Sequence, residues 1–219
     1  MLETHVIETG PNPATTLIVL HGLGADGHDF VPICGELDLK PLGAVRYVFP
    51  HAPERPVTIN GGYRMRAWYD ILGVDLVKRE DEPGLRESVR QISELIDRER
   101  ARGVAAERIV VMGFSQGCAM ALMTALRYPE RLSGAVGLSG YLPLAATTAA
   151  ERSAANTSLP IFMAHGTQDP VVVPARGTAS RDALQALGHD VEWHEYPMPH
   201  SVCMEEIADL NAWLLKQLG

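Results

Sequence analysis

The sequence predicts a single α/β domain built on a mostly parallel, doubly wound sheet. Short apolar runs rich in β-branched residues recur along the chain, as at Thr16–Leu20 and Ile109–Met112, and such runs are typical of strands buried on both faces. Helical stretches alternate with these runs without repeats or linkers, which favours a parallel sheet covered by helices. We expect one domain over residues 1–219, because a chain of 219 residues can bury about 70% of its unfolded surface without disulfides or metals.

The first half of the chain predicts two strands and two helices around a long irregular stretch. In order, these are a strand at Thr16–Leu20, a helix within 27–39, a strand at Val45–Phe49 and an amphipathic helix at Leu85–Arg102. Pro50 follows the second strand and Gly103 follows the second helix. Proline and glycine are typical of the positions where strands and helices end.

The second half predicts four strands separated by helical segments. In order, these are a strand at Ile109–Met112, a helix from Cys118 to near Pro129, strands at Ala135–Ser139 and Pro160–Ala164, a helix ending before Gly188, a strand at Val191–Tyr196 and a terminal helix. Small residues predominate from Gly140 to Ser158. We therefore expect this segment to be helical only in part. Apolar and polar residues alternate along the last strand, which predicts an edge strand with one solvent-exposed face.

Prolines and glycines disrupt every periodic pattern from His51 to Pro83. A loop of that length in a compact domain is usually functional. Met65, Ile71 and Leu72 of this loop, together with Val172, are therefore expected to line a substrate groove. The aromatic side chains of Trp68 and Tyr69 are instead expected to anchor the loop on the core. The charge run Lys78–Glu82 predicts a solvated face.

Composition narrows the class of protein. The net charge of −8 and an isoelectric point near 5.5 disfavour nucleic acid or an anionic membrane as the main partner. No apolar run approaches the roughly 20 residues that span a bilayer, and the first residues lack the pattern of a signal peptide. Three widely spaced cysteines predict neither a disulfide framework nor a zinc site. We therefore expect a reduced, cytoplasmic protein.

The G-x-S-x-G pattern at residues 113–117 lies between a predicted buried strand and a predicted helix. This arrangement is typical of a nucleophile elbow, whose sharp turn holds the serine in a strained conformation with its hydroxyl exposed. Side chains at Gly113 or Gly117 would collide where strand and helix approach closely. Ser115 also precedes a helix N-terminus, where free N–H groups favour developing negative charge. The alternative is a serine helix cap beside two chance glycines.

The elbow needs a base and a carboxylate elsewhere in the chain, because a serine hydroxyl alone is a poor nucleophile. Functional residues of parallel sheets lie beyond the carboxyl ends of strands, which selects His21, His165 and His200 among eight histidines. His21 and His165 each precede a glycine at a strand end, so their rings are expected to pack around those turns. His200 follows the last strand and Asp169 follows a strand-end turn. Ser115, Asp169 and His200 thus reproduce the order Ser, Asp, His of α/β-hydrolases.

The glycine-rich turn at 21–27 follows the first predicted strand. No acidic residue follows a second strand at the spacing of a dinucleotide-binding fingerprint, so we reject that interpretation. In α/β-hydrolases such a turn supplies one N–H of the oxyanion hole, and the residue after the nucleophile supplies the other. Leu23 and Gln116 are the matching backbone donors. A plain glycine connection between strand and helix remains the alternative.

Six stretches carry a resemblance to a known family. They are HGLGADG at 21–27, GGYRMRAWYDI at 61–71, DEPGL at 81–85, GFSQG at 113–117, HGTQDPVVVP at 165–174 and YPMPHSV at 196–202. Over nearly its whole length, the chain resembles the carboxylesterase and acyl-protein thioesterase family of small α/β-hydrolases. These motifs together are far more specific than G-x-S-x-G alone.

The resemblance implies a single-domain α/β-hydrolase fold without a separate lid domain, and a serine hydrolase of carboxylic esters or thioesters. It implies a triad of Ser115, Asp169 and His200, an oxyanion hole of the Leu23 and Gln116 N–H groups, and no metal or cofactor. Cys118 departs from the family pattern, which usually has glycine there. We expect its side chain to be a small buried packing group rather than a reactive thiol.

We expect the substrate to be a small-molecule ester or thioester, with an acylated protein as a further candidate. We further expect an open groove, no activation at a lipid interface, no nucleic-acid partner and no stable insertion into a membrane. The sequence is compatible with a homodimer. Two alternatives remain, an amidase or peptidase on the same fold and a catalytically silent α/β-hydrolase that serves as a binding module. The complete Ser-Asp-His set argues against the second.

Overall fold

The computed structural model describes residues 1–73 and 79–219. Its strands are β1 (Thr4–Glu8), β2 (Thr15–Leu20), β3 (Val45–Pro50), β4 (Glu54–Val57), β5 (Tyr63–Arg66), β6 (Ile109–Phe114), β7 (Gly134–Leu138), β8 (Ile161–Gly166) and β9 (Val191–Tyr196). Its helices are α1 (Val31–Gly35), α2 (Glu82–Ala101), α3 (Gln116–Arg127), α4 (Ala145–Glu151), α5 (Pro174–Ala186) and α6 (Met204–Leu218).

The central sheet runs in the order β1-β3-β2-β6-β7-β8-β9 in the described part of the chain. Six of these strands are mutually parallel, and β1 pairs antiparallel with β3 so that Val6 lies opposite Val48. The predicted mostly parallel α/β sheet is therefore confirmed. Sequence patterning does not predict β1, because this edge strand is only half-buried and contains no continuous apolar run.

Helices cover both faces of the sheet, as a doubly wound arrangement requires. Alternate residues of β2 point to opposite faces. Ile18 and Leu20 join a core with α2, α3 and α5, whereas Leu17 and Val19 join a second core with α1 and α6. All four side chains are at most 1% exposed, so the strand is buried on both sides and reads as a continuous apolar run.

Between His51 and Gly73, the chain contains two strands that the predicted loop lacks. β4 and β5 form a small antiparallel sheet in which Val57 lies opposite Tyr63. Gly61 and Gly62, both with positive φ, make the reversal between them, since glycine adopts this conformation without steric cost. Sequence patterning does not predict β4 and β5, because their charged residues interrupt any alternation of apolar and polar side chains.

The predicted solvated face at Lys78–Glu82 is partly wrong. Lys78 lies outside the described residues. The Glu80 carboxylate accepts the N–H of Leu144 at 2.8 Å, and Asp81 caps α2 by accepting the N–H of Gly84 at 3.1 Å. These acidic groups therefore hold the chain in place, because a carboxylate at a helix start satisfies free N–H donors.

The predicted helix within 27–39 reduces to the short α1, Val31–Gly35. Among the described helices, none combines the length and the apolar character needed to cross a bilayer.

A buried glutamate lies in the first turn of α6, close behind the loop that carries His200. Glu206 has no exposed surface, and both its carboxylate oxygens lack a hydrogen-bond partner among the described residues. Burial raises the pKa of Glu206 to about 8, and the nearby N–H of Cys203 opposes the rise. The folded protein therefore holds this carboxyl protonated at neutral pH, whereas the unfolded chain ionises it.

Glu206→Gln is expected to stabilise the protein at alkaline pH. Between pH 4.5 and about 8, only the unfolded chain releases the proton, so the wild type loses about 1.4 kcal/mol of unfolding free energy per pH unit from this group. The amide keeps the shape and has no proton to lose. Denaturant titrations of both proteins at pH 5 and pH 8 measure the difference. A gap between the two proteins that stays constant with pH would contradict the prediction.

Candidate active site

The elbow at residues 113–117 has the strained geometry that the sequence predicts. Ser115, between β6 and α3, has φ 56° and ψ −116°, and its N–H donates to the Leu138 carbonyl at 2.9 Å. A Cβ on Gly113 would lie 2.3 Å from the carbonyl carbon of Gly117, and one on Gly117 would lie 2.1 Å from the Leu20 carbonyl oxygen. Neither contact is possible for a side chain, so both glycines are sterically required.

Asp169 and His200 meet beyond the carboxyl ends of the neighbouring strands β8 and β9. His200 Nδ1 lies 2.7 Å from Asp169 Oδ2. The other carboxylate oxygen accepts the N–H groups of Val171 at 2.8 Å and Val172 at 2.9 Å. Asp169 is only 3% exposed, and these bonds satisfy a charge that would be costly to bury unpaired. The carboxylate thus holds the proton of His200 on Nδ1 and leaves Nε2 as the basic nitrogen.

The His200 ring is held beside the elbow. Its centroid lies 4.7 Å from that of Phe114, the residue before Ser115. The loop carrying His200 also approaches β8 closely, since a Cβ on Gly166 would lie 2.3 Å from the Met198 carbonyl oxygen. The structure therefore brings the predicted base and carboxylate to the same edge of the sheet as the predicted nucleophile.

His165 braces the loop of Asp169, as expected for its place before a glycine. Its Nε2 lies 2.7 Å from the Val172 carbonyl oxygen and 3.4 Å from Asp169 Oδ2. The ring is buried at 1% exposure, which separates it from solvent.

The backbone donors predicted for an oxyanion hole lie on both sides of Ser115. A Cβ on Gly22 would lie 3.5 Å from Ser115 Cβ, so the turn at 21–27 passes directly beside the serine. Gly24 donates its N–H to the Arg66 carbonyl, and the Leu23 N–H bonds to no backbone carbonyl of the described residues. Gln116 is the first residue of α3, and its N–H has no partner within the helix.

A cavity of about 470 Å³ opens next to Ser115 and the two candidate donors. The lining residues are Leu23, Ile59, Asn60, Tyr69, Ile71, Gly73, Ser115, Gln116, Tyr141, Pro170, Val171, Val172, Val173 and Arg176. Most of the lining is apolar, and Ile59, Val171 and Val173 are exposed at its surface. Such a cavity suits an apolar chain attached to a reacting carbonyl.

The structure supports half of the predicted groove. Ile71 and Val172 line the cavity, whereas Met65 and Leu72 are absent from the described residues that line it. Met65 lies on β5, where its sulfur contacts Asn60 Nδ2 at 3.4 Å. Ile71, which lines the cavity, also forms an isolated antiparallel bridge with Glu80.

The aromatic pair Trp68 and Tyr69 anchors its loop as expected, with exposed fractions of 0% and 3%. Tyr69 has a second role that the sequence analysis misses, because it also lines the cavity. Its hydroxyl lies 2.9 Å from that of Tyr141, which is missed as well. Tyr141 follows the end of β7, so the rule that sites lie beyond strand ends could have identified it.

Three potential metal ligands meet beside the turn at 21–27. One ligand atom each of Asp26, His28 and His51 lies within 4.8 Å of the others. Asp26 Oδ1 accepts the N–H of His28 at 2.7 Å, and His51 Nδ1 accepts the N–H of Gly27 at 3.1 Å. His28 Nδ1 also lies 3.1 Å from Asp26 Oδ1, so hydrogen bonds around the turn account for the position of these side chains.

Comparison with known proteins identifies relatives over the whole chain. The sequence model of a family described as Phospholipase/Carboxylesterase matches residues 2–218. A protein of Mycosarcoma maydis named acyl-protein thioesterase 1 is 43% identical over 233 residues, which cover 99% of this chain and 97% of the relative. A protein of the same name from Yarrowia lipolytica is 41% identical and covers 91% of this chain and 90% of its own.

Solved structures of similar shape agree with these relatives. Arabidopsis thaliana SOBER1 superposes with a TM-score of 0.89 at 32% identity, over 94% of this chain and 99% of its own. Zea mays acyl-protein thioesterase 2 superposes with a TM-score of 0.87 at 31% identity, over 100% of both chains. These likenesses confirm the predicted α/β-hydrolase fold.

Cys118, the residue that departs from the family pattern, fits because two glycines face it. A Cβ on Gly137 would lie 2.8 Å from its sulfur, and one on Gly140 would lie 2.5 Å from the same atom. The side chain has no exposed surface, and burial raises the pKa of its thiol. It is a packing group in the first turn of α3.

The native protein is expected to protect Cys118 and Cys34 from alkylation. Both thiols are at most 5% exposed, and burial raises the pKa of each, so the reactive thiolate is scarce at neutral pH. Cys203 is partly exposed and reacts first. Mass spectrometry after iodoacetamide treatment of native and denatured protein locates the labels. Fast labelling of Cys118 in the native protein would contradict this assignment.

Proposed function

The chain belongs to the phospholipase/carboxylesterase family, and on that premise we propose that Ser115, His200 and Asp169 perform its hydrolytic reaction. It is a hydrolase of carboxylic esters or thioesters, as the family match and the thioesterase relatives establish. The assignment of the reaction to these three side chains rests on one observation above all. The buried Asp169 carboxylate orients His200 through a 2.7 Å bond, on the sheet edge where Ser115 is held in its strained turn.

The proposed reaction has two acyl-transfer steps. Ser115 attacks the acyl carbonyl while His200 takes its proton, and Asp169 stabilises the imidazolium that forms. The alcohol or thiol then leaves with the proton from His200. Water, activated by the same imidazole, attacks the acyl-enzyme and releases the carboxylic acid. Each step transfers a proton to or from Nε2, the nitrogen that the Asp169 bond leaves basic.

The N–H groups of Leu23 and Gln116 form the proposed oxyanion hole. They flank Ser115, and the fold leaves both without a backbone partner among the described residues. Donors of this kind are worth about 3 kcal/mol each in the transition state, because they act on charge that develops there.

The proposed substrates carry an apolar acyl chain, which the cavity beside Ser115 accommodates. An acylated protein and a small ester or thioester both present such a chain, and two of the relatives are named acyl-protein thioesterases. We assign the enzyme to the cytoplasm, in keeping with its free thiols. We expect no jump in activity at an oil–water interface, since among the described residues the cavity opens to the surface, where Ile59, Val171 and Val173 are exposed.

Ser115→Ala is expected to lower kcat on p-nitrophenyl esters and on matched thioesters by roughly a million-fold. Asp169→Asn is expected to lower it by about ten-thousand-fold, since the amide favours the wrong tautomer of the histidine. Steady-state kinetics of the three proteins measure both losses. Ser158→Ala, an exposed serine far from the cavity, is the matched control. Activity of Ser115→Ala equal to the wild type would refute the assignment.

Ile71→Trp is expected to shift the substrate preference toward short acyl chains. The larger ring fills part of the cavity, so kcat/KM falls for long-chain esters and changes little for acetyl esters. Leu72→Trp is the matched control, because the neighbouring residue is not among the described residues that line the cavity. Chain-length profiles of both variants provide the measurement. Equal profiles for the two variants would show that the acyl chain binds elsewhere.

A further inference from the structure

His21 is buried between two backbone segments, and its hydrogen bonds define its tautomer. The ring is 1% exposed. Nε2 accepts the N–H of Ala52 at 3.0 Å, so the proton of the neutral ring is on Nδ1. That nitrogen lies 2.7 Å from the Gly22 carbonyl oxygen and donates to it. Burial lowers the pKa of His21, which favours the neutral ring that these two bonds require.

The bond to the Gly22 carbonyl acts on the next residue as well. The carbonyl of Gly22 and the N–H of Leu23 belong to one planar peptide group, in which the C=O and N–H bonds point in opposite directions. Holding the oxygen therefore sets the direction of the Leu23 N–H. This N–H is one of the two proposed oxyanion donors, so the imidazole of His21 lies behind that donor and orients it.

Gln116, whose N–H is the second proposed oxyanion donor, is connected to His21 through Trp68. The side chain of Gln116 accepts the N–H of Trp68 at 2.8 Å and donates to the Tyr69 carbonyl at 2.8 Å. The indole N–H of Trp68 donates to the His21 carbonyl at 2.9 Å. The residue that carries the second oxyanion N–H is thus tied by its own amide group to the segment that holds His21.

We propose that His21, Trp68 and the side chain of Gln116 form a bracing network that sets the two oxyanion N–H groups relative to each other. His21 is then a positioning residue for hydrolysis, and it acts through the peptide between Gly22 and Leu23. The inference rests on the proposed function, because it assumes that these N–H groups bind the oxyanion.

The network predicts an effect on the transition state rather than on substrate binding. The ground-state carbonyl carries little charge, so a misdirected N–H changes KM only slightly. The tetrahedral intermediate carries a full negative charge, and the same error lowers kcat. A histidine that served packing alone would change thermal stability without this division between kcat and KM.

Two amide substitutions of His21 separate its two hydrogen bonds. In His21→Asn, the side-chain NH₂ occupies the place of Nδ1 and can still donate to the Gly22 carbonyl. In His21→Gln, the amide oxygen reaches the place of Nε2 and can accept the Ala52 N–H, but the donor to Gly22 is lost. Each variant loses the imidazole ring and one of its two hydrogen bonds. The two variants are therefore expected to lose similar amounts of stability, which makes them a matched pair.

The test measures kcat and KM on a p-nitrophenyl ester for the wild type, both His21 variants and Ser115→Ala. The inhibition constant of an alkylboronic acid is measured for the same proteins, because the boronate adduct on serine resembles the tetrahedral intermediate. We expect His21→Gln to lose about 10- to 100-fold in kcat, somewhat less than complete removal of an oxyanion donor. Its boronic acid affinity falls by a similar factor and its KM stays near the wild-type value, whereas His21→Asn keeps most of both kcat and affinity.

Trp68→Phe provides a second route to the same conclusion if a His21 variant does not fold. This variant keeps an aromatic ring at the buried position and removes the N–H that holds the His21 carbonyl, together with part of the indole ring, so a smaller loss of kcat at constant KM is expected. Equal losses in the two His21 variants, or losses in KM alone, overturn the network. An active Ser115→Ala overturns the proposed function itself, whereas an inactive Ser115→Ala beside fully active His21 and Trp68 variants overturns only the network.

Discussion

The close approach of the elbow to the end of β2 is the constraint on which the site depends. The absence of side chains at Gly113 and Gly117 lets α3 start directly against β6 and the Leu20 carbonyl. This contact rotates Ser115 into its positive φ and places the turn after β2 beside it. A methyl group at either glycine would push the two segments apart, because main-chain atoms on both sides cannot yield. Strain in one residue is thereby maintained by the packing of a whole sheet.

Burial decides the electrostatics around this contact. Asp169 is nearly inaccessible, yet two N–H groups and the His200 ring satisfy its carboxylate. Glu206, on the neighbouring helix, is equally buried but lacks such partners among the described residues, and its pKa rises. The two carboxyl groups thus differ in the N–H groups around them, and burial without such donors among the described residues favours the uncharged form of Glu206.

The sequence predicted the buried parts of the molecule well and the exposed parts poorly. The runs around Thr16–Leu20 and Ile109–Met112 are strands, because burial on both faces demands apolar residues throughout. The sequence does not predict the strands β1, β4 and β5, since a half-exposed strand is held by neighbouring backbone and tolerates charged residues. The groove shows the same division, because Ile71 lines the cavity while Met65 is not among the described residues that line it, and no local pattern separates the two.

By itself, the sequence determined the α/β class, the strand–turn–helix around Ser115 and the chain order of the predicted serine, acid and base. These features depend on local requirements, namely apolar periodicity and the absence of a Cβ at two glycines. Only the tertiary structure decided which polar groups meet. The bonds of His21 to Gly22 and Ala52, and of Gln116 to Trp68 and Tyr69, join segments far apart in the chain. Hydrogen-bond partners depend on distance and angle in space, and those quantities exist only once the sheet has brought the loops together.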